Sequence, residues 1–227
     1  MKTRANHLKS VRAVLLIGIV AGMLATPAAW AAVLTPDSVT VATVNGPQFT
    51  VVNVPVSIRD LSGTPLGLDQ PAGSHIQAYS IKVNYSPASA VQGITFTRSG
   101  ITSSLTPAFE ANSSAAGTIS LIDSFSESAN PIPFTLNGAA PGNEVAQLHV
   151  TLSPSATPGT IITLSLDTTL TTLSNDSGTT SEMTSTSSLA LVDGSITVTP
   201  SVPAMSHLTF LLLALTLAVL GMRVIRF

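Results

Sequence analysis

Between Val39 and Val198 apolar and polar residues alternate with period two. No window places apolar residues at i, i+3, i+4 and i+7 between helix caps. This pattern predicts strands over Val39–Val44, Phe49–Ile58, His75–Tyr85, Val91–Thr97, Thr118–Asp123, Val145–Leu152, Ile161–Leu166 and Ser195–Val198. In the second, Val52, Val54, Val56 and Ile58 share a face; in the third, Tyr79, Ile81, Val83 and Tyr85 do. Ala146, Leu148, Val150 and Leu152 alternate with Gln147, His149 and Thr151, the mark of a strand with one dry and one wet face. Asn45-Gly46-Pro47, Asp60 to Pro65 and Ser86-Pro87 read as turns. Short strands, Gly/Pro turns and no helices indicate an all-β sandwich. Residues 171–188 stand apart: twelve of the eighteen are Ser or Thr, which predicts a long exposed loop or a pair of ragged edge strands.

The pattern changes at both ends. A basic head (Lys2, Arg4, Lys9, Arg12) precedes an apolar run from Ala13 to Ala25, then Thr26-Pro27 and the small-residue site Ala29-Trp30-Ala31. This is the layout of a secretory signal peptide, cut after Ala31. Thirteen apolar residues make about 20 Å of helix against a hydrocarbon core of about 30 Å, which disfavours the alternative of an uncleaved anchor. The chain closes with a short motif at residues 202–206, an apolar stretch at 208–222 and a basic end at 223–227. Fifteen residues give about 22 Å, a marginal span unless Val224 and Ile225 contribute while the arginines snorkel. The expected organisation is a signal peptide (1–31), one β-domain (32–199) and a C-terminal sorting or anchor segment (200–227).

Composition removes several chemistries. There are no cysteines, hence no disulfide framework, thiol nucleophile or Cys-ligated metal. The middle of the chain holds only Arg59, Lys82 and Arg98 against all eleven acids, an acidic domain without a nucleic-acid footprint. No Gly-x-Ser-x-Gly elbow is present. His149 belongs to a wet strand face and His75 to a strand start, and neither has a partner at zinc-site spacing. Carboxylate pairs for glycoside hydrolysis would come from Glu110, Asp123, Glu127, Glu144 and Asp167. Asp60, Asp69, Asp176 and Glu182 are oxygen ligands of the kind a structural calcium ion takes, although no Asp-x-Asp-x-Asp-Gly loop occurs. The single tryptophan, Trp30, leaves with the signal. Tyr79 and Tyr85 fall on the apolar face of their strand, which leaves no aromatic platform for crystalline polysaccharide.

Two resemblances add to this. Val202-Pro203 and Ser206, the hydrophobic stretch, and Arg223 with Arg226 resemble the PEP-CTERM and IPTL-CTERM sorting tails of Gram-negative bacteria. Those tails imply processing by an exosortase-like enzyme and at least transient membrane anchoring. Four segments, in order, resemble a cohesin domain: Val54-Pro55-Val56-Ser57-Ile58-Arg59-Asp60, Tyr79 to Pro87, Ala146 to Leu152 followed by Thr157-Pro158-Gly159, and Asp193-Gly194-Ser195-Ile196-Thr197-Val198. The resemblance implies a nine-stranded jelly-roll sandwich, flanked here by two hydrophobic helical targeting segments. It implies a non-catalytic interaction module at the envelope or outside the cell, with a dockerin-like protein partner and a link to polysaccharide degradation. The alternative is a carbohydrate-binding module of the same fold.

Overall fold

A computed structural model describes residues 35–201. Thirteen strands follow one another: β1 (Asp37–Val41), β2 (Thr43–Pro47), β3 (Val51–Arg59), β4 (Ala78–Ser86), β5 (Val91–Arg98), β6 (Phe109–Ala115), β7 (Thr118–Ser124), β8 (Asn143–Leu152), β9 (Ile161–Leu166), β10 (Thr172–Ser174), β11 (Ser181–Glu182), β12 (Leu189–Val192) and β13 (Gly194–Thr199). The only helical pieces among the described residues are three single 3-10 turns. Five strands form one sheet in the order β12-β1-β3-β8-β5. The second runs β11-β10-β4-β9-β13-β2, with β7 on the free side of β4 and β6 outermost on β7. No helix of the described residues is long and apolar enough to cross a membrane. The expected signal peptide with its site at Ala29 and Ala31, and the tail carrying Val202, Pro203, Ser206, Arg223 and Arg226, lie outside the described residues.

The alternation read from the sequence is what packs the two sheets together. Val54, Val56, Ile58, Leu148, Val150 and Leu152 from the first sheet are buried against Ile81, Val83, Leu121, Ile162, Leu164 and Ile196 from the second. A bulge opposite Ser57 turns both Val145 and Ala146 inward, so the strict alternation of β8 breaks at its start.

Thirteen strands replace the nine expected, because several courses are broken. The predicted strand Val39–Val44 splits at Ala42: β1 pairs with β3 in one sheet and β2 with β13 in the other. Pro55 explains the exit. Its carbonyl accepts a bond from Ala42 N at 3.0 Å, but it has no N–H to return one, and β1 leaves the sheet there. The last course switches sheets at the same level, from β12 parallel to β1 to β13 parallel to β2. Gly194 is required at this crossing, since a Cβ there would stand 2.3 Å from the carbonyl oxygen of Ala42. The turn expected at Asn45-Gly46-Pro47 is instead the end of β2, an edge strand where proline is tolerated. The Ser/Thr-rich stretch does form ragged edge strands: β10 pairs with β4, and β11 with β10.

Candidate functional site

Register defines which side chains share the outer face of the second sheet. Ala111 stands opposite Ile122, and Ile122 opposite Ser80. One step along, Ser120 stands opposite Lys82, and beyond them Asn84 opposite Ser165. The inward residues of β4, β7 and β9 are buried, so burial fixes the parity of these three strands, and pairing with β7 carries it to β6. The result is a surface mostly of small hydroxyl and amide side chains, with a few exposed apolar residues among them. Ile122 is 40% exposed in mid-strand, and Phe109 at the start of β6 is 55% exposed. Leu170 is also exposed, and its carbonyl holds the Ser80 hydroxyl at 2.9 Å. Hydroxyls satisfy one another, as between Ser113 and Ser120 at 2.9 Å. The one charge on the β4 course is neutralised where it stands: Lys82 Nζ lies 3.3 Å from Asp167 Oδ2. Asp167 also accepts bonds from the Thr169 hydroxyl and the amides of Thr169 and Leu170, which together hold its carboxyl well below the usual range. β6 bounds the face with an edge that no strand among the described residues pairs.

The outer face of the first sheet differs. His149, on its wet side as expected, is fixed between Thr97 Oγ1 (2.9 Å) and Asn53 Oδ1 (2.8 Å), a cross-strand row that uses both ring nitrogens.

The five candidate catalytic acids do not face each other in an open cleft. Glu110 and Asp123 are register partners. However, Glu110 accepts from Arg98 Nε at 2.6 Å, and Asp123 is fully buried. Neither Asp123 oxygen has a hydrogen-bond donor in good geometry among the described residues. Burial pushes its pKa up to about 6, offset in part by the Tyr79 hydroxyl and Arg98 and reinforced by Glu110. Glu127 is tied to His75 Nδ1 (2.8 Å) and to the Gly73 amide, and Glu144 to the Ser99 hydroxyl (2.6 Å). A cleft of about 140 Å³ between β5 and β6 is lined by Ile94, Phe96 and Asn112 among others, below the usual volume of a small-molecule site.

Both tyrosines serve the core. Tyr79 is buried against Phe125, with ring centroids 6.4 Å apart, and burial raises its hydroxyl's pKa. Tyr85 is half-buried and packs on the same core. The exposed aromatics, Phe49 and Phe109, sit on separate elements and make no row.

Of the four candidate calcium ligands, Asp176 lies apart, accepting weakly from the Glu127 amide at 3.4 Å. Asp60, Asp69 and Glu182 come together around the loop at residues 61–69, joined by Asp37, which the sequence did not single out. Among the described residues no group of three or more His, Asp or Glu side chains is arranged so that it could hold a metal ion. Burial raises the carboxyls of Asp37, Asp60 and Glu182, and Asp37 and Glu182 oppose each other's charge.

The two-sheet all-β arrangement is that of a cohesin-like β-sandwich. Three solved structures of that fold match the chain. The cohesin CaCohA2 of Clostridium acetobutylicum is 19% identical, with a TM-score of 0.51, over 75% of this chain and 95% of its own. The third cohesin ScaC from Acetivibrio cellulolyticus, solved with the ScaB dockerin, is 20% identical with a TM-score of 0.51, over 72% and 99%. The OlpA cohesin of Clostridium thermocellum, also solved with a dockerin, is 14% identical with a TM-score of 0.50, over 72% and 99%. At these identities the likeness defines the fold. No protein-family model matches the chain, and no curated protein matches it.

Proposed function

We propose that this protein is a non-catalytic interaction module that docks a folded protein partner on the outer face of β6, β7, β4 and β9. The observation that carries this reading is the exposure of Ile122 in mid-strand on a sheet face whose one lysine is neutralised by Asp167. Such a surface costs little to desolvate, and an apolar centre within a polar rim is how protein interfaces are built. The cohesins of similar fold that were solved with dockerins support a protein as partner, and a dockerin-like one as the first to test. The lack of an exposed aromatic row among the described residues speaks against the alternative, a carbohydrate-binding module. The signal-like N-terminus and the sorting-like tail support export, with an exosortase-like enzyme handling the C-terminal segment at the envelope.

The test is capture of extracellular proteins of the source organism on the immobilised chain, with insoluble polysaccharides assayed in parallel. A protein retained by the wild type and released by Ile122→Asp, but still retained by a His149→Gln variant of the other sheet, is the expected result. Retention on polysaccharide alone, or capture indifferent to Ile122→Asp, overturns the reading. For the tail, deletion of residues 202–227 is expected to free the domain from the membrane fraction. Continued membrane retention refutes the sorting role.

A further inference from the structure

The two ends of the sandwich differ in charge. Register brings the starts of β3, β7 and β9 and the ends of β4, β8 and β13 to one of them: Val51 stands opposite Thr151, Asn84 opposite Thr118, Ser86 opposite Thr163 and Ile161 opposite Thr197. Backbone bonds join the loops there. Leu152 N donates to Thr50 O at 3.0 Å, Gln48 N to Thr199 O at 3.3 Å, Gly159 N to Val198 O at 2.8 Å and Tyr85 N to Gly117 O at 2.8 Å. Residues 38–58, 83–97, 111–122, 145–166 and 194–201 build this end, and they contain no Asp, Glu, Lys or Arg. The domain's eleven acids and three basic residues, a net charge of 3 − 11 = −8, all lie toward the middle of the strands or at the opposite end.

The uncharged end is also where large apolar side chains meet solvent. Phe49 is 64%, Ile161 57% and Val51 58% exposed, the three highest values for large hydrophobic residues among the described residues. Val51 comes from the first sheet, Ile161 from the second, and Phe49 from the loop that joins β2 to β3. Phe49 has φ +65°, a left-handed conformation that is unusual for a bulky residue and persists only where its surroundings enforce it. Here the Thr50 hydroxyl bonds the Pro47 carbonyl at 2.7 Å, and the neighbouring Gln48 amide is tied to Thr199. Apolar residues scattered singly over a surface need no explanation, but three gathered at an end without charge mark a contact surface.

The course of the chain says what covers it. Thr199 pairs with Pro47, so Ser201 leaves the domain from this end. The apolar stretch at 208–222 begins seven residues further on, at most about 25 Å of extended chain. We propose that the uncharged end rests on a lipid bilayer, with Phe49, Val51 and Ile161 dipping into its headgroup layer. This rests on the reading of residues 208–222 as a membrane segment. The three side chains leave water without any neighbouring charge losing its hydration. The nearest charges, Lys82 and Asp167, stand four residues of β4 behind Ser86, about 13 Å, which exceeds the Debye length of about 8 Å at physiological salt. Anionic lipids therefore repel the acidic part of the domain only weakly. In this orientation the outer face of β6, β7, β4 and β9 stands upright from the bilayer, open to a partner.

The experiment uses the full chain reconstituted in vesicles of phosphatidylethanolamine and phosphatidylglycerol in equal parts. The chain has no cysteine, so a single environment-sensitive fluorophore can be placed on Thr157→Cys at the uncharged end or on Ala72→Cys at the other, both exposed positions. Doxyl-labelled lipid is expected to quench the Thr157→Cys label at least about threefold more than the Ala72→Cys label. Adding Phe49→Asp and Ile161→Asp should bring the two to the same level, while the chain still floats with the vesicles and keeps its circular dichroism. A chain that floats with both labels unquenched overturns this proposal and leaves the membrane segment standing. A chain that does not float overturns the membrane segment, and this proposal with it. Shielding of the Thr157→Cys label that grows with protein density and ignores doxyl lipid marks contact between copies and overturns the proposal. Quenching unchanged by the two aspartates in a natively folded chain does so as well.

Discussion

Asp123 offers a quantitative test of how this domain is held together. Its carboxyl is fully buried on the inner side of β7, and its pKa stands at about 6 against an ordinary value of 3.8. A group whose folded pKa is raised binds its proton more tightly in the folded state, so it favours folding at low pH and opposes it at high pH. The penalty is absent below pH 4, grows between pH 4 and 6, and is fully present above pH 6. Two pKa units amount to about 3 kcal/mol. Asp123→Asn keeps the shape, removes the charge and supplies an amide that the Tyr79 hydroxyl can meet. At pH 7.5 the variant is therefore expected to be more stable than the wild type by up to about 3 kcal/mol, or about 6–12 °C in melting temperature for a domain of this size. At pH 4 the two should coincide. The assay is urea unfolding followed by circular dichroism at both pH values. Burial also raises the carboxyls of Asp37, Asp60 and Glu182, so the informative quantity is the difference between variant and wild type. A difference that does not change with pH, or a variant less stable at pH 7.5, refutes the argument.

Other outcomes follow from the packing. Phe96→Ala empties a buried position between the sheets and should cost about 3–5 kcal/mol in urea unfolding. Gly194→Val pushes a side chain into the Ala42 carbonyl and should prevent the terminal strands from crossing, seen as a melting temperature lowered by well over 5 °C or as insoluble expression. Ile122→Asp changes an exposed position and should leave the melting temperature within a few degrees of wild type while abolishing partner capture. His149→Gln loses the row from Asn53 to Thr97 and should cost about 1 kcal/mol or less, because that row is solvent-accessible.

The sandwich was legible wherever one face of a strand is dry and the other wet. β4 and β8 show this well: Ile81, Val83, Leu148 and Val150 are buried as their alternation predicts. β6 escaped notice because none of its residues from Phe109 to Ala115 is buried, so burial imposes no alternation on it. The split of β1 from β2 escaped because nothing local to Ala42 marks it; its causes are Pro55 and Gly194, which are distant in sequence. Asn45-Gly46-Pro47 looks like a turn by local chemistry and becomes strand because β13 lies alongside it. The same distance effect governs the acids. Asp60, Asp69 and Glu182 could be noted as oxygen ligands, but their convergence on Asp37 depends on the pairing of β1 with β3 and of β11 with β10. The face proposed for docking was half visible: parity put the core tyrosines inward, while the neutrality of the outer side required Lys82 and Asp167 to meet across 85 residues.

The parallel crossing of the two terminal strands has a mechanical consequence. Asp37 lies beside Leu189 and Pro47 beside Thr199, so the chain enters the sandwich at one end of this seam and leaves it at the other. Tension applied between residues 35 and 201 therefore acts along the seam rather than peeling it. The hydrogen bonds joining β1 to β12 and β2 to β13 carry such a load together instead of breaking one after another. A domain tethered at its C-terminal side and pulled from its N-terminal side would resist as a lap joint does, with its strength set by the length of the overlap.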